Sequence, residues 1–128
     1  MIAVSLLEVK TVREGKSVPP QVRSIVVEVA KLRDYCLSAE HPRGRYKARV
    51  FRSRLGIAAT DAELLRRALL DAAWNRQAEL QSAGTDLHGQ RYVLNFPMVT
   101  AVGTATIRST WIVPTDQDVL RFVTCYVL

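Results

Sequence analysis

Residues 91–127 read RYVLNFPMVTAVGTATIRSTWIVPTDQDVLRFVTCYV, and the period of this stretch decides the fold. Val, Ile, Tyr, Phe, Trp and Thr dominate three runs, Arg91 to Met98, Thr104 to Val113 and Val119 to Val127, with the period of two that marks strands. The segments between them, Val99 to Gly103 and Pro114 to Asp118, are short enough for hairpins. In the middle strand Ala105, Ile107, Trp111 and Val113 alternate onto one face, and Thr104, Thr106, Arg108 and Thr110 take the other. Thr124 and Tyr126 share a face of the last strand.

Upstream the period is helical. Thr60-Asp61-Ala62-Glu63 has the form of a capping box, and it opens a helix through about Trp74 with Leu65, Ala68, Leu69 and Ala72 as its apolar stripe. A second helix is expected over Arg45 to Leu55, ended by Gly56 as a C-terminal cap. Ala30 to Ser38 reads as a short helix with Leu32, Tyr35 and Cys36 on one side, and Ser24 to Val29 as a short strand. Gln77 to Gly89 reads as a polar loop, as does the Gly- and Pro-containing segment 13–21. The predicted class is α+β, with N-terminal helices packed on a C-terminal antiparallel β-sheet of three to four strands. Residues 1–21 are expected to form an N-terminal extension or strand plus loop, and residues 22–128 a single domain.

Bulk composition narrows the class. The chain has 128 residues, 48% of them hydrophobic and 23% charged, which suits one core and excludes collagen-like and low-complexity readings. No apolar run approaches the roughly 18 residues a membrane helix needs. Met1 to Val12 is broken by Glu8 and Lys10 and lacks the form of a signal peptide, so the expected location is the cytoplasm. Cys36 and Cys125 have no metal-ligand spacing; buried thiols acting as small hydrophobes are expected, with a disulfide or a reactive thiol as the alternatives. With no clustered His, Asp, Glu or Cys, no phosphate loop and no nucleophile elbow, no metal and no cofactor are expected.

Charge is the most informative quantity. The net charge is +6, and between His41 and Thr60 stand Arg43, Arg45, Lys47, Arg49, Arg52 and Arg54 with no acid. The rest of the chain therefore sums to zero, and the excess is local, as in a surface that binds a polyanion. At 100° per residue Arg45, Arg49 and Arg52 fall within about 60° of one another, beside an apolar stripe of Ala48, Phe51 and Leu55. Guanidinium forks match phosphate oxygens, whereas the alternative is a solvated face with scattered ion pairs. His41 stands at the mouth of this helix, where an imidazole could accept a proton in phosphodiester cleavage or simply cap the helix. The hydroxyls of the middle strand with Arg108 could hold a phosphate or could be an ordinary wet strand face. Tyr126 could stack a base or belong to the core. His88, in the loop before the sheet, is a further candidate to work with His41 as an acid–base pair.

Several blocks carry a resemblance. Lys31-Leu32-Arg33-Asp34-Tyr35-Cys36-Leu37 is followed by His41-Pro42-Arg43-Gly44-Arg45-Tyr46-Lys47-Ala48-Arg49-Val50-Phe51. Later come Gly89-Gln90-Arg91-Tyr92, Ala105-Thr106-Ile107-Arg108-Ser109-Thr110-Trp111-Ile112-Val113 and the ending Thr124-Cys125-Tyr126-Val127-Leu128. Together they resemble the signature of a bacterial family of unknown function, over roughly Val26 to Leu128. Its members occur beside small acidic proteins and at the ends of polymorphic-toxin proteins, which implies the toxin half of a toxin–antitoxin pair. By analogy with compact helix-plus-sheet toxins of the barnase, colicin and relaxed-response type, the implied activity is a ribonuclease. The family pattern has an acid where Asn95 stands and Pro-Arg-Leu where this chain has Leu120-Arg121-Phe122.

The resulting expectation is a metal-independent ribonuclease in which the 2′-hydroxyl of RNA attacks the neighbouring phosphate. His41 would be the base, Arg45, Arg49 and Arg108 the clamp on the phosphorane, and Thr106 and Tyr126 positioning groups. Arg43, Lys47 and Arg52 would bind the nucleic acid, and an acidic antitoxin would cover the arginine face. Two alternatives stay open: a non-catalytic module that binds nucleic acid or an acidic protein through the same face, and DNA cleavage or group transfer.

Overall fold

The inner face of the C-terminal strands organises the structure, a computed structural model that describes residues 22–128. The expected extension over residues 1–21 lies outside the described residues. Strands β3 (Gly89–Val99) and β4 (Thr104–Pro114) pair antiparallel along their whole length, from Gly89 opposite Pro114 to Val99 opposite Thr104. Leu94, Phe96, Ile107 and Trp111 are buried on one face. The Trp111 ring meets Phe122 edge to face with centroids 5.5 Å apart. The Trp111 indole donates to Ser109 Oγ at 2.8 Å, and that hydroxyl donates to the Leu94 carbonyl at 2.8 Å, so the buried polar atoms are matched.

The expected short strand within Ser24 to Val29 joins this sheet, and one further strand lies where a polar loop was expected. Among the described residues the sheet has five strands and is mixed rather than antiparallel, in the order β1-β5-β4-β3-β2. Strand β1 (Ser24–Val26) runs parallel to β5 (Val119–Val127), with Ile25 opposite Leu120. Strand β2 (Gln81–Asp86) occupies the segment read as a polar loop and pairs with β3. All six of its residues are exposed, so no alternation of apolar side chains announces it; backbone pairing alone makes it a strand. The helices accordingly fall between β1 and β2 in the chain instead of preceding the sheet as a block.

Helix α1 (Val29–Lys31) runs directly into a wider π turn, Leu32–Cys36, which buries Leu32 and Cys36. Helix α2 spans Arg45–Leu55, the predicted bounds, and buries Ala48, Phe51 and Leu55. Gly56 ends it with φ of 68° and donates to the Arg52 carbonyl at 2.9 Å, the left-handed cap that favours glycine. Helix α3 (Ala62–Asn75) buries Leu65, Leu69 and Ala72 as expected, but starts differently. Asp61 takes the Ala58 N–H at 2.9 Å, while Glu63 pairs with Arg66 at 3.1 Å, so the expected box of Thr60 with Glu63 is replaced by a tight turn over Ala59–Asp61.

Strand β5 contains the feature that positions the site. Phe122 lies opposite Trp111, yet Thr124 lies opposite Thr110, so Val123 is an extra residue. This bulge shifts the parity of everything after it. Leu120, Phe122 and Cys125 point inward, whereas Thr124 and Tyr126 join Thr110 and Arg108 on the outer face. Strand β1 ends opposite Arg121, and beyond it Lys31 Nζ donates to the Phe122 carbonyl at 3.1 Å along the edge of β5.

Gly44, at the start of α2, fits closely against the π turn: a Cβ there would run into the Tyr35 backbone carbonyl. Its φ of −83° is ordinary, so Gly→Ala on an open site would stabilise by about 0.4–1 kcal/mol. Here overpacking wins, and Gly44→Ala is expected to destabilise by about 1–3 kcal/mol. Urea unfolding checks this through a lowered midpoint at constant slope; a midpoint at or above that of the parent would contradict the close fit.

Candidate nucleic-acid interface

Helix α2 presents three faces because its residues step by 100°. The apolar stripe of Ala48, Phe51 and Leu55 fixes the helix on the body. On one flank Arg45, Arg49 and Arg52 line a groove of about 600 Å³, which Arg33, Asp34 and Glu40 and the apolar Leu37, Ala48 and Ile57 also line. The predicted stripe is therefore formed. Arg45 Nη2 also donates to the Tyr46 hydroxyl at 3.0 Å, and the Arg45 and Arg49 guanidinium carbons lie 4.9 and 5.7 Å from the Tyr46 ring centroid. None of Arg43, Arg45, Lys47, Arg49, Arg52 and Arg54 forms an ion pair with a carboxylate among the described residues.

Lys47 occupies the other flank. Its ammonium lies 5.5 Å from the Tyr35 ring and 5.2 Å from the Tyr126 ring, a cation between two π faces. The bulge in β5 makes this possible, since it is what turns Tyr126 away from the core. Tyr126 stands opposite Arg108 on β4, and Arg108 opposite Asn95 on β3, giving a row of three across the outer face. Arg108 Nε donates to Asn95 Oδ1 at 3.0 Å. That contact keeps the arginine in place without cancelling its charge, because Asn95 is neutral. Thr106 and Thr110 flank Arg108 on the same face.

His41 is engaged in a different way from a poised base. Its Nδ1 accepts the Arg43 and Gly44 backbone N–H groups at 3.0 and 3.1 Å, and its ring meets Tyr35 edge-on at 4.6 Å. With Nδ1 an acceptor, a neutral imidazole carries its proton on Nε2 and offers a donor outward. His88 sits in the β2–β3 turn, where its carbonyl accepts from Thr115, and it is not brought to His41.

The structure thus divides the sequence-derived candidates. Arg108, Tyr126 and Thr106 share the outer sheet face, Lys47 stands by Tyr126 and Tyr35, and His41 adjoins Tyr35. Arg45, Arg49 and Arg52 face their own groove, which no residue of β4 or β5 lines. Arg43 is exposed at the mouth of α2. Three participants were missed: Tyr35, read only as part of an apolar side, Tyr46, an aromatic inside the basic run, and Asn95, visible only as a departure from a family pattern. Among the described residues no group of three His, Cys, Asp or Glu side chains could hold a metal ion, and no helix is long and apolar enough to cross a membrane.

Cys36 and Cys125, distant in sequence, meet behind this row. Both are free and fully buried, and Cys36 Sγ lies 3.6 Å from Thr124 Oγ1. The Cys125 thiol donates to Cys36 and pulls its pKa down to about 6; burial opposes this, and the Thr124 hydroxyl and Lys47 charge assist. Cys125 is pushed well up in consequence. These thiols are buried as expected.

Comparison with known proteins adds a frame. Residues 19–128 match the family model described as Domain of unknown function (DUF6883). No curated protein matches the sequence. Among solved structures the fold is similar to a chain of "Contact-dependent growth inhibition toxin - immunity protein complex from Klebsiella pneumoniae 342", at a TM-score of 0.63 and 19% identity. The match covers 80% of this chain and 99% of that one.

The thiol pair yields a direct prediction. Thiolate absorbance in the ultraviolet should titrate with a midpoint of about 6 for Cys36. Replacing Cys125 by Ala removes the largest lowering contribution, so the midpoint should rise. An unmoved midpoint in C125A would refute the shared hydrogen bond as its cause.

Proposed function

We propose that this chain, which belongs to the family described as Domain of unknown function (DUF6883), is a toxin domain that cleaves RNA phosphodiesters without a metal ion. One observation carries the reading. Lys47 stands by the ring of Tyr126, and Tyr126 lies opposite Arg108 on the sheet, with no carboxylate paired to either cation among the described residues. A low-acid cluster of cations and hydroxyls suits a reaction in which negative charge grows on a phosphate. The toxin part rests on the resemblance of the sequence blocks and on the similar fold of a chain from a toxin–immunity complex.

In the proposed reaction the 2′-hydroxyl attacks the adjacent phosphorus, a P–O bond forms to give a 2′,3′-cyclic phosphate, and the bond to the 5′-oxygen breaks. Arg108 clamps the phosphorane, and Tyr126 and Thr106 position it by hydrogen bonds. The Lys47 ammonium gives its proton to the departing 5′-oxygen, while water takes the 2′-hydroxyl proton and Lys47 is reprotonated from solvent. His41, with Nδ1 committed to the backbone of the turn that leads into α2, serves as a donor instead of the base. An acidic antitoxin covering the arginine flank would exclude RNA by charge and by bulk. The separate placement of Arg45, Arg49 and Arg52 favours one further reading, a module that binds an acidic partner or nucleic acid through that flank without chemistry.

Expression and cleavage assays separate these readings. Induction should arrest growth, and purified protein should leave cyclic phosphate ends on total RNA in the presence of chelator. Arg108→Ala and Lys47→Met are each expected to slow cleavage by about 10²–10³-fold. His41→Ala should keep cleavage within about tenfold of the parent while lowering stability, since each lost hydrogen bond to the turn before α2 costs about 1 kcal/mol. Intact RNA with the parent protein, or arrest that persists in Arg108→Ala and disappears only in Arg45→Ala with Arg49→Ala, would give the case to the binding module.

A further inference from the structure

We infer that Tyr46, with Arg45 and Arg49, forms a second subsite on α2 that takes an unpaired nucleotide of a single-stranded nucleic acid outside the reacting row. The inference rests on the nucleic-acid reading of this surface but not on the cleavage chemistry. Tyr46 is 56% exposed, unusual for a large aromatic on a helix that packs its apolar stripe fully. It is not idle surface, because one neighbouring arginine holds its hydroxyl and two place their guanidinium groups by its ring. Those arginines lack carboxylate partners among the described residues, so two cations and an aromatic ring share one solvent-facing spot.

The chemistry of that spot selects its ligand. An aromatic ring or guanidinium plane offers a stacking face to a base, and the remaining guanidinium N–H groups offer forks to the flanking phosphates. A duplex keeps its base faces stacked internally and cannot use the ring; an unpaired strand can. Arg52 continues the row of arginines along the groove beside Arg49, a path for the next phosphate on the α2 side, while Asp34, paired with Arg33, and Glu40 also line the groove. Lys47 lies on the opposite flank of the helix and stays free for the outer sheet face. A substrate that touches both flanks must therefore extend beyond the two nucleotides at the broken bond.

An acidic protein segment is the competing occupant, and the ring distinguishes the two. Carboxylates would use the arginines and gain little from Tyr46, whereas a base uses both.

The test measures binding of fluorescent single-stranded oligodeoxynucleotides, which lack the attacking 2′-hydroxyl, by anisotropy at low salt. Tyr46→Ala should weaken binding about tenfold, and Tyr46→Phe and Tyr46→Trp should restore it, the range base–aromatic stacking gives. Duplex of the same length should be indifferent to all three substitutions. Because Tyr46 is exposed, circular dichroism should report unchanged folding. Parent protein that binds the oligonucleotide but leaves RNA intact would support this subsite while removing the cleavage reading. Equal binding by parent and Tyr46→Ala, or no single-strand binding at all, would overturn the subsite even where RNA is cut. Poly-glutamate held more tightly than the oligonucleotide, lost in Arg45→Ala with Arg49→Ala and untouched by Tyr46→Ala, would overturn it in favour of an acidic protein.

Discussion

One extra residue in β5 decides which side chains meet. Leu120 and Phe122 must face inward to pack against Trp111, and a regular strand would then send Thr124 inward and Cys125 outward. The bulge at Val123 reverses that, putting Cys125 into the core next to Cys36 and Tyr126 on the outer face opposite Arg108. A one-residue shift exchanges the two faces of everything that follows it, and bulges recur beside functional sites for this reason. Lys47 then has a ring to stand over, and Thr124 has a hydroxyl close enough to touch Cys36.

The second constraint is electrostatic and concerns α2. Its apolar stripe leaves two flanks, and both carry cations that form no ion pair with a carboxylate among the described residues, although Asp34 and Glu40 also line the arginine groove. Mutual repulsion of such groups on an exposed helix is screened over about 10 Å at moderate salt, so the fold tolerates it. The repulsion still acts at the short spacing of Arg45, Arg49 and Arg52, and a bound polyanion would relieve it. What the structure adds to the bare charge count is the division of labour. Lys47 turns toward the sheet and the arginines turn toward the groove, so one helix serves two surfaces.

Much of this was legible before any coordinates. The three C-terminal strands follow from period-two alternation, α2 and its Gly56 terminus from helical spacing and a left-handed cap, and the arginine stripe from 100° steps. The illegible parts share a cause: they depend on backbone pairing or on contacts remote in sequence. Strand β2 has no buried side chains to pattern it, and the parallel pairing of β1 with β5 leaves no local mark. The bulge at Val123 needs β4 as a reference before it exists at all. The box at Thr60 failed because Asp61, one residue on, reaches the Ala58 N–H first. In the sequence His41 reads as a capping or loop residue that could also act as a base, and its ring bonds to the Arg43 and Gly44 amides could not be seen without the fold of that turn.

Asn95 shows how a departure from a family pattern can be read through charge. It accepts from Arg108 Nε at 3.0 Å, the same contact a carboxylate would make. A carboxylate there would hold the guanidinium in a charge-assisted pair and cancel its field over the outer face. The amide preserves the geometry and leaves the positive charge uncompensated, beside Tyr126 and within the reach of Lys47's influence. If the acid that the sequence resemblance leads one to expect here acts by accepting a proton, this chain lacks that acceptor, which is why the proposed reaction gives the proton to water. If the acid only orients Arg108, Asn95 does the same and the row gains potential for phosphate. The neutral side chain at this one position therefore separates an orienting role from a proton-accepting one.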